Sequence, residues 1–294
     1  MTCVRRAWLT LDTLSVPLES VDGGWFCTSL DLGYPEVRDV VNNRPDQNGV
    51  DDRTRYWGAR AVTAELVTDV GWGAQIDQVA AQWAPFMVPS ARPVLHYVLD
   101  RPGTAERTLT LRAAAYDWKI EGDRSRTIQL QWVAADPIVR DPVTRTATAW
   151  AGAALASGRT YDLTFPRTYP AGGGIPTTSI IHGYGDVPIQ PLLRIYGPIT
   201  GPKVTIHVPG GATYVVGFLS TFAVGTGAWV DVNTANKTAL YQSDPNQNVI
   251  TSLDWSTLTW PVLPPGVDNT MTLSGGATSD ISQVQAIWQD GYLE

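Results

Sequence analysis

The sequence predicts a mainly β protein, and three observations carry that reading. First, strict two-residue alternation recurs along the chain, in Arg107-Thr108-Leu109-Thr110-Leu111-Arg112, Arg126-Thr127-Ile128-Gln129-Leu130-Gln131-Trp132 and Lys203-Val204-Thr205-Ile206-His207-Val208. A period of two sends successive side chains to opposite faces of a strand. Second, turn-forming clusters interrupt the chain at Asn48-Gly49, Pro209-Gly210-Gly211, Pro264-Pro265-Gly266 and Gly275-Gly276. Third, only one segment has clear helical spacing. It places Ile76, Val79, Ala80 and Trp83 on one face and ends at Pro85. The second half has no comparable helix, and its short strands with Gly/Pro turns predict a sandwich or jelly roll.

Charge density divides the chain. Residues 1–141 hold 15 Lys+Arg and 19 Asp+Glu, whereas residues 142–294 hold 6 and 9. The change falls beside Ala135-Asp136-Pro137 and Asp141-Pro142, and Asp-Pro steps favour extended or turning chain over helix. This predicts two domains, 1–141 and 142–294. A long loop inside a single domain is the alternative.

Composition removes several classes of function. Hydrophobic residues make up 44% and charged residues 17% of the 294 positions, which is the balance of a folded chain and not of a disordered one. No apolar run approaches the roughly 18 residues of a membrane helix, so no stable membrane insertion is expected. The start, Met1 to Trp8, has no apolar stretch before Asp12 and reads without a signal peptide. Cys3 and Cys27 form neither a disulfide framework nor a zinc set. A net charge of −7 disfavours stable binding to nucleic-acid phosphates.

Catalytic patterns are missing as well. There is no G-x-S-x-G elbow, Walker loop, H-E-x-x-H or C-x-x-C. His96 follows an apolar run and reads as a structural histidine, His207 lies on the polar face of its strand, and His182 sits in a Gly-rich turn where binding is a second reading. Glycosidases need two carboxylates, but Glu is confined to positions 19, 36, 65, 106, 121 and 294. Asp46, Asn48 and Asp52 suggest calcium, yet the Gly and the bidentate Glu of an EF-hand are not at the required offsets. The segment reads as a polar hairpin tip in which Asn48-Gly49 supplies positive φ. No catalytic residue, metal ligand or cofactor site is therefore expected.

Tryptophan is the one unusual resource, with 12 residues. Its ring is apolar and carries a polar N–H, a pairing favoured at interfaces. Trp132 and Trp288 fall in alternating patterns and read as core or interface. Trp229, Trp255 and Trp260 lie near turns of the second half, where glycan stacking, partner contact and core packing are all open.

The order of several short motifs resembles the distal tail proteins (Dit) of long, non-contractile-tailed bacteriophages. In the first half these are Asn48-Gly49-Val50-Asp51-Asp52-Arg53-Thr54, Gly58-Ala59-Arg60-Ala61-Val62, the helix after Trp72-Gly73, the two strands around Arg107–Arg112 and Arg126–Trp132, and Ala134-Ala135-Asp136-Pro137. In the second they are Phe165-Pro166-Arg167-Thr168-Tyr169-Pro170, Pro191-Leu192-Leu193-Arg194-Ile195-Tyr196-Gly197-Pro198, Trp229-Val230-Asp231-Val232-Asn233, Leu253-Asp254-Trp255, Leu263-Pro264-Pro265-Gly266-Val267-Asp268-Asn269 and Ile287-Trp288-Gln289-Asp290-Gly291-Tyr292-Leu293. Two departures lie in loops: His182-Gly183-Tyr184-Gly185-Asp186 replaces an Asn-x-Gly, and the Ala-rich stretch Ala147–Gly158 is long.

The resemblance implies an N-terminal split β-barrel with one α-helix and a C-terminal galectin-like β-sandwich. It implies a homohexameric ring at the distal end of the virion tail, made in the host cytoplasm and without enzymatic activity. The partners it implies are other copies of the chain, the tail tube protein, the tape-measure protein, and the tail-tip hub with its receptor-binding proteins. DNA would be transient cargo through the lumen. Host-surface carbohydrate, gripped through Trp229, Trp255 or Trp260, is the alternative role for the second domain.

Overall fold

The computed structural model describes residues 4–19, 25–38, 41–43, 50–52, 56–68, 81–100, 105–121, 125–151, 177–279 and 281–293. The chain forms two compact units: Met1–Pro142 together with Tyr292–Glu294, and Val143–Gly291. The first unit contains β1 (Val4–Leu11), β2 (Leu14–Pro17), β3 (Trp25–Asp31), β4 (Val37–Arg38), β5 (Val41–Asn43), β6 (Val50–Asp52), β7 (Tyr56–Trp57), β8 (Arg60–Thr68), β9 (Val94–Leu99), β10 (Arg107–Thr110), β11 (Arg112–Glu121), β12 (Ser125–Ala134) and β13 (Val139–Arg140). The second contains β14 (Arg145–Trp150), β15 (Thr178–His182), β16 (Leu192–Tyr196), β17 (Ile199–His207), β18 (Thr213–Gly217), β19 (Ala223–Val224), β20 (Trp229–Asn233), β21 (Thr238–Tyr241), β22 (Asp268–Gly276) and β23 (Gln283–Trp288), and β24 (Gly291–Tyr292) ends the series.

In the first unit, a six-stranded sheet in the order β2-β1-β9-β10-β13-β24 and a four-stranded sheet in the order β11-β12-β8-β3 share one core. Alternation decides which side chains enter it. Leu95, Tyr97 and Leu99 of β9, Val62, Ala64 and Leu66 of β8, and Ile128, Leu130 and Trp132 of β12 are buried at every second position. Among the described residues neither sheet closes on itself, so the split barrel takes the form of two open sheets.

The predicted helix lies outside the described residues except for its end. Residues 81–83 are helical and run into a 3-10 turn, Ala84–Met87. The α-helical run thus ends just before Pro85, which sits in the first turn of the separate 3-10 segment. A proline near a helical N-terminus loses no backbone hydrogen bond there. Trp83 is buried, edge-on to Trp25 at 6.1 Å and 6.3 Å from Phe86.

The hairpin around Asn48-Gly49 is flanked by β5 and β6, which pair antiparallel with Asn43 opposite Val50; the tip itself, with the calcium-like residues Asp46 and Asn48, lies outside the described residues. So do the motifs Trp72-Gly73 and Phe165–Pro170. His96 is a satisfied structural histidine. Its Nδ1 lies 2.7 Å from Glu106 Oε1, its Nε2 lies 2.9 Å from Thr10 Oγ1, and its ring stacks on Trp8.

Two buried arginines meet the returning chain end inside the first unit. Arg60 is fully buried and its Nη2 donates to the Leu293 carbonyl at 3.5 Å. The Arg107 guanidinium lies 3.6 Å from the centre of the Tyr292 ring.

The second unit is a β-sandwich. A five-stranded sheet in the order β14-β23-β16-β20-β21 faces a sheet in the order β15-β22-β17-β18, with β19 added on β17. Leu193, Ile195, Val230, Val232, Val284 and Ala286 pack from one side against Ile181, Val204, Ile206, Val216 and Met271 from the other. Pro209-Gly210-Gly211 turns β17 into β18, with Gly210 at φ +66°. Gly275-Gly276 is not a turn: the pair ends β22. Their lack of side chains has another cause. A Cβ on Gly275 would lie 2.7 Å from Ile199 Cγ1, beside the bulge in β17 between Thr200 and Lys203.

Leu193→Ala, at a fully buried position, should lower unfolding free energy by about 2–5 kcal/mol. Thr146→Ala, on the exposed side of the same sheet, should stay within about 0.5 kcal/mol. Urea unfolding followed by tryptophan fluorescence measures both.

Candidate functional site

The outward face of the five-stranded sheet carries side chains that the core does not use. Antiparallel pairing aligns them into rows. Trp150 lies opposite Gln283, Gln283 opposite Tyr196, and Tyr196 opposite Trp229. One step along, Thr148 lies opposite Gln285, Gln285 opposite Arg194, and Arg194 opposite Asp231. Asp231 is buried and the other seven are half-buried.

This face is held by a connected polar network. Arg194 binds Asp231 through two parallel bonds, Nε to Oδ1 at 2.7 Å and Nη2 to Oδ2 at 3.0 Å. The Ser243 hydroxyl donates to Asp231 Oδ2 at 2.5 Å and accepts from the Trp229 indole N–H at 3.3 Å. The Asp231 hydrogen bonds are the main reason the Arg194 pKa is raised above its ordinary value, so the guanidinium is charged at every accessible pH. Its Cζ lies 5.6 Å from the centre of the Trp229 ring, and that ring is 6.4 Å from Tyr196.

The other predicted tryptophans do not join this face. Both belong to the segment that follows the 3-10 turn Ile250–Ser252 and bonds alongside β18, where the Asp254 and Thr259 amides donate to the Gly217 and Val215 carbonyls. Trp255 is 59% exposed on a turn organised by Asp254. One oxygen of that carboxylate accepts from the Ser256 amide and hydroxyl at 3.1 and 2.6 Å, and the other from the Thr257 hydroxyl at 2.9 Å. The same bonds hold the Asp254 carboxyl below its usual pKa. Trp260 is half-buried and packs against the sandwich core. Trp132 and Trp288 are buried.

A second cluster surrounds His182. Its Nδ1 lies 2.6 Å from Asp268 Oδ1, and its ring lies 4.4 Å from that of Tyr184, which is 62% exposed. The Arg145 guanidinium covers Tyr184 at 4.5 Å, and Arg145 Nε donates at 2.6 Å to Asp290, whose side chain is fully buried. Asp290 also accepts from the Tyr184 amide at 3.1 Å. The Gly-rich turn is a packing requirement. A Cβ on Gly183 would lie 2.5 Å from Ile189 Cδ1, and one on Gly185 would lie 2.1 Å from the Gly291 carbonyl oxygen.

Among the described residues no group of three or more His, Cys, Asp or Glu converges as a metal site would require. Burial pushes the Cys27 thiol up to about 11, which leaves almost no thiolate at neutral pH. No helix of the described residues is long and apolar enough to cross a membrane.

Sequence comparison matches no family model and no curated protein. Structural comparison does find relatives of the fold. The crystal structure of SPP1 Dit (gp 19.1), described as a paradigm of the hub adsorption apparatus in phages infecting Gram-positive bacteria, superposes with a TM-score of 0.66 at 11% identity; the match covers 98% of this chain and 99% of that one. The chain has a Dit-like fold. A chain of the phage P2 baseplate in its activated conformation with Ca gives a TM-score of 0.52 at 14% identity, over 98% of both chains. The corresponding baseplate with Sr gives 0.50 at 14% identity, over 97% and 98%. The Dit-like fold thus spans both units of this chain, including the sandwich that carries the aromatic row.

Removing a buried ion partner leaves an uncompensated charge. Arg145→Ala, which leaves the fully buried Asp290 carboxylate without its ion partner, should therefore cost about 3–5 kcal/mol of stability. Asp136→Ala, which breaks the exposed Arg140–Asp136 pair at 2.8 Å, should cost no more than about 1 kcal/mol. Denaturant midpoints distinguish the two.

Proposed function

We propose that this chain is a structural virion protein of a long-tailed phage: a ring adaptor at the distal end of the tail that joins the tail tube to the tip or baseplate and anchors receptor-binding components. One observation carries the reading. The Dit-like fold runs through both units of the chain at nearly full coverage of SPP1 Dit and of a phage P2 baseplate chain.

The physics of the first unit supports it. Among the described residues its sheets are open, with β3 and β11 at the ends of one and β2 at an end of the other. Edge strands present unpaired backbone groups, a liability in a monomer and a resource in an assembly. Phe26 on edge strand β3 is 40% exposed, and Leu14, Trp57 and Tyr34 are 48%, 49% and 81% exposed. Large apolar side chains left in water favour a partner surface. Identical subunits joined head to tail close into a ring when the rotation per subunit allows it. Six subunits follow from the family resemblance. An acidic chain of net charge −7 also suits a lumen through which DNA slides without adhering.

On this reading the first unit forms the ring wall and contacts the tail tube and tape-measure proteins. The second unit projects to the hub and receptor-binding proteins. The role is assembly, with no chemistry of its own.

Mass photometry and negative-stain images of the full chain with its tail tube protein should show six-membered rings. Phe26→Glu, which puts a charge on an edge strand, should shift the distribution towards monomers while far-UV circular dichroism is unchanged. Monomers alone at high concentration, with the tube protein present, would contradict the proposal.

A further inference from the structure

We propose that Tyr292 and Leu293 form a completion strap: the first unit reaches its stable fold only when these two residues, which follow the whole of the second unit in sequence, dock on its buried arginines. The inference concerns folding, and it holds whether or not the subunits form a ring.

The first argument is chain order. The strands β1–β13 of the first unit lie between Val4 and Arg140, but β24 follows β14–β23 in sequence and still bonds alongside β13 in the six-stranded sheet. Gly291 and Tyr292 serve different units. The Gly291 carbonyl accepts from the Asp186 and Val187 amides at 2.8 and 3.2 Å within the second unit, whereas Tyr292 packs against the core of the first. On its other side, β13 is a two-residue strand paired at Thr108 opposite Arg140. A strand so short makes few ladder hydrogen bonds, so it depends on a neighbour at each side.

The second argument is buried charge. Arg60 is fully buried and Arg107 is 7% exposed. A guanidinium keeps its proton in a protein, so burial cannot neutralise it and it needs partners. Arg60 Nη2 donates to the Leu293 carbonyl at 3.5 Å. Arg107 Nη1 donates to the Glu106 carbonyl at 3.4 Å, and its Nε is buried without a hydrogen-bond partner. The Tyr292 ring, centred 3.6 Å from the guanidinium carbon, therefore covers a cation that hydrogen bonds leave partly uncompensated. Without the strap both arginines lose a partner in a desolvated site, which is the strongly destabilising case. Apolar side chains at these two positions would remove the dependence, because buried ions are often replaced by hydrophobic residues of similar volume at little cost.

The third argument is timing. Domains fold as they are made, N-terminal first, at about 5–20 residues per second; synthesis of Val143–Gly291 thus delays the strap by on the order of ten seconds. Through that interval the first unit lacks its last strand. A chain that stops anywhere in the second unit never gains it. One consequence rests on the ring reading of the first unit: edge strand β3, with its exposed Phe26, enters assembly only from subunits that carry a second unit.

Hydrogen exchange followed by mass spectrometry tests the strap, comparing the full chain with one ended after Gly291. Amides of β8, β9 and β10 should exchange at least about 100-fold faster in the shortened chain, while those of β16, β20 and β23 stay within about twofold. Tyr292→Ala in the full chain should accelerate the same first-unit amides by about tenfold. Arg60→Met with Arg107→Met should bring the shortened chain back to within about tenfold of the full one. First-unit exchange unchanged by the truncation, both units accelerated alike, or acceleration that the two Met substitutions do not relieve would each overturn the proposal. Exchange is read without ring formation, so the strap and the ring reading fail separately.

Discussion

The antiparallel register of β14, β23, β16 and β20 is the constraint on which the rest of the second unit depends. A strand has a side-chain period of two, so a slip of one residue exchanges its two faces completely. In the observed register, Leu193, Ile195, Val230, Val232, Val284 and Ala286 all point into the sandwich. The residues between them, from Trp150 to Trp229, all point out. Core and candidate site are therefore two consequences of one set of backbone hydrogen bonds. Any change that shifted the register would bury Arg194 and expose Ile195 together, at a cost far above that of an ordinary point substitution.

Buried charge is used sparingly, at points where segments distant in sequence meet. Asp290 holds Arg145 and the Tyr184 amide within the second unit. Arg60 and Arg107 hold the backbone and ring of the final described residues within the first. Both units thus place an ion pair or a cation–π contact where segments distant in sequence meet. Breaking a buried partner is costly even where the pair adds little net stability. Such contacts secure one arrangement of the chain in preference to its alternatives.

Much of the fold was legible in the sequence because period two is a strong local signal. The alternation at Arg126–Trp132 and Lys203–His207 became β12 and β17, and the glycines after Pro209 became a turn. Other features depended on contacts between remote residues and left no local mark. Gly275-Gly276 looked like a turn and is a close approach to Ile199. Arg60 stands in the sequence only as part of a short motif and is fully buried. Trp229, Trp255 and Trp260 look alike in sequence, each beside a turn. The structure separates them into a sheet face, an exposed turn and a half-buried packing position. Trp150 and Tyr196 join Trp229 only through pairing between strands that are far apart along the chain. Gln283 and Gln285 were unremarkable until the register set them beside these rings.

That register can be read directly by disulfide trapping in a chain whose two native cysteines are replaced by serine. Thr148→Cys with Gln285→Cys joins residues directly opposite each other, at a separation of about 4.5–5.5 Å that a disulfide spans. Thr148→Cys with Val284→Cys joins residues on opposite faces. Mild oxidation should cross-link the first pair rapidly and leave the second reduced. Cross-linking of the second pair with the first left reduced would contradict the register, and with it the separation of core from outward face.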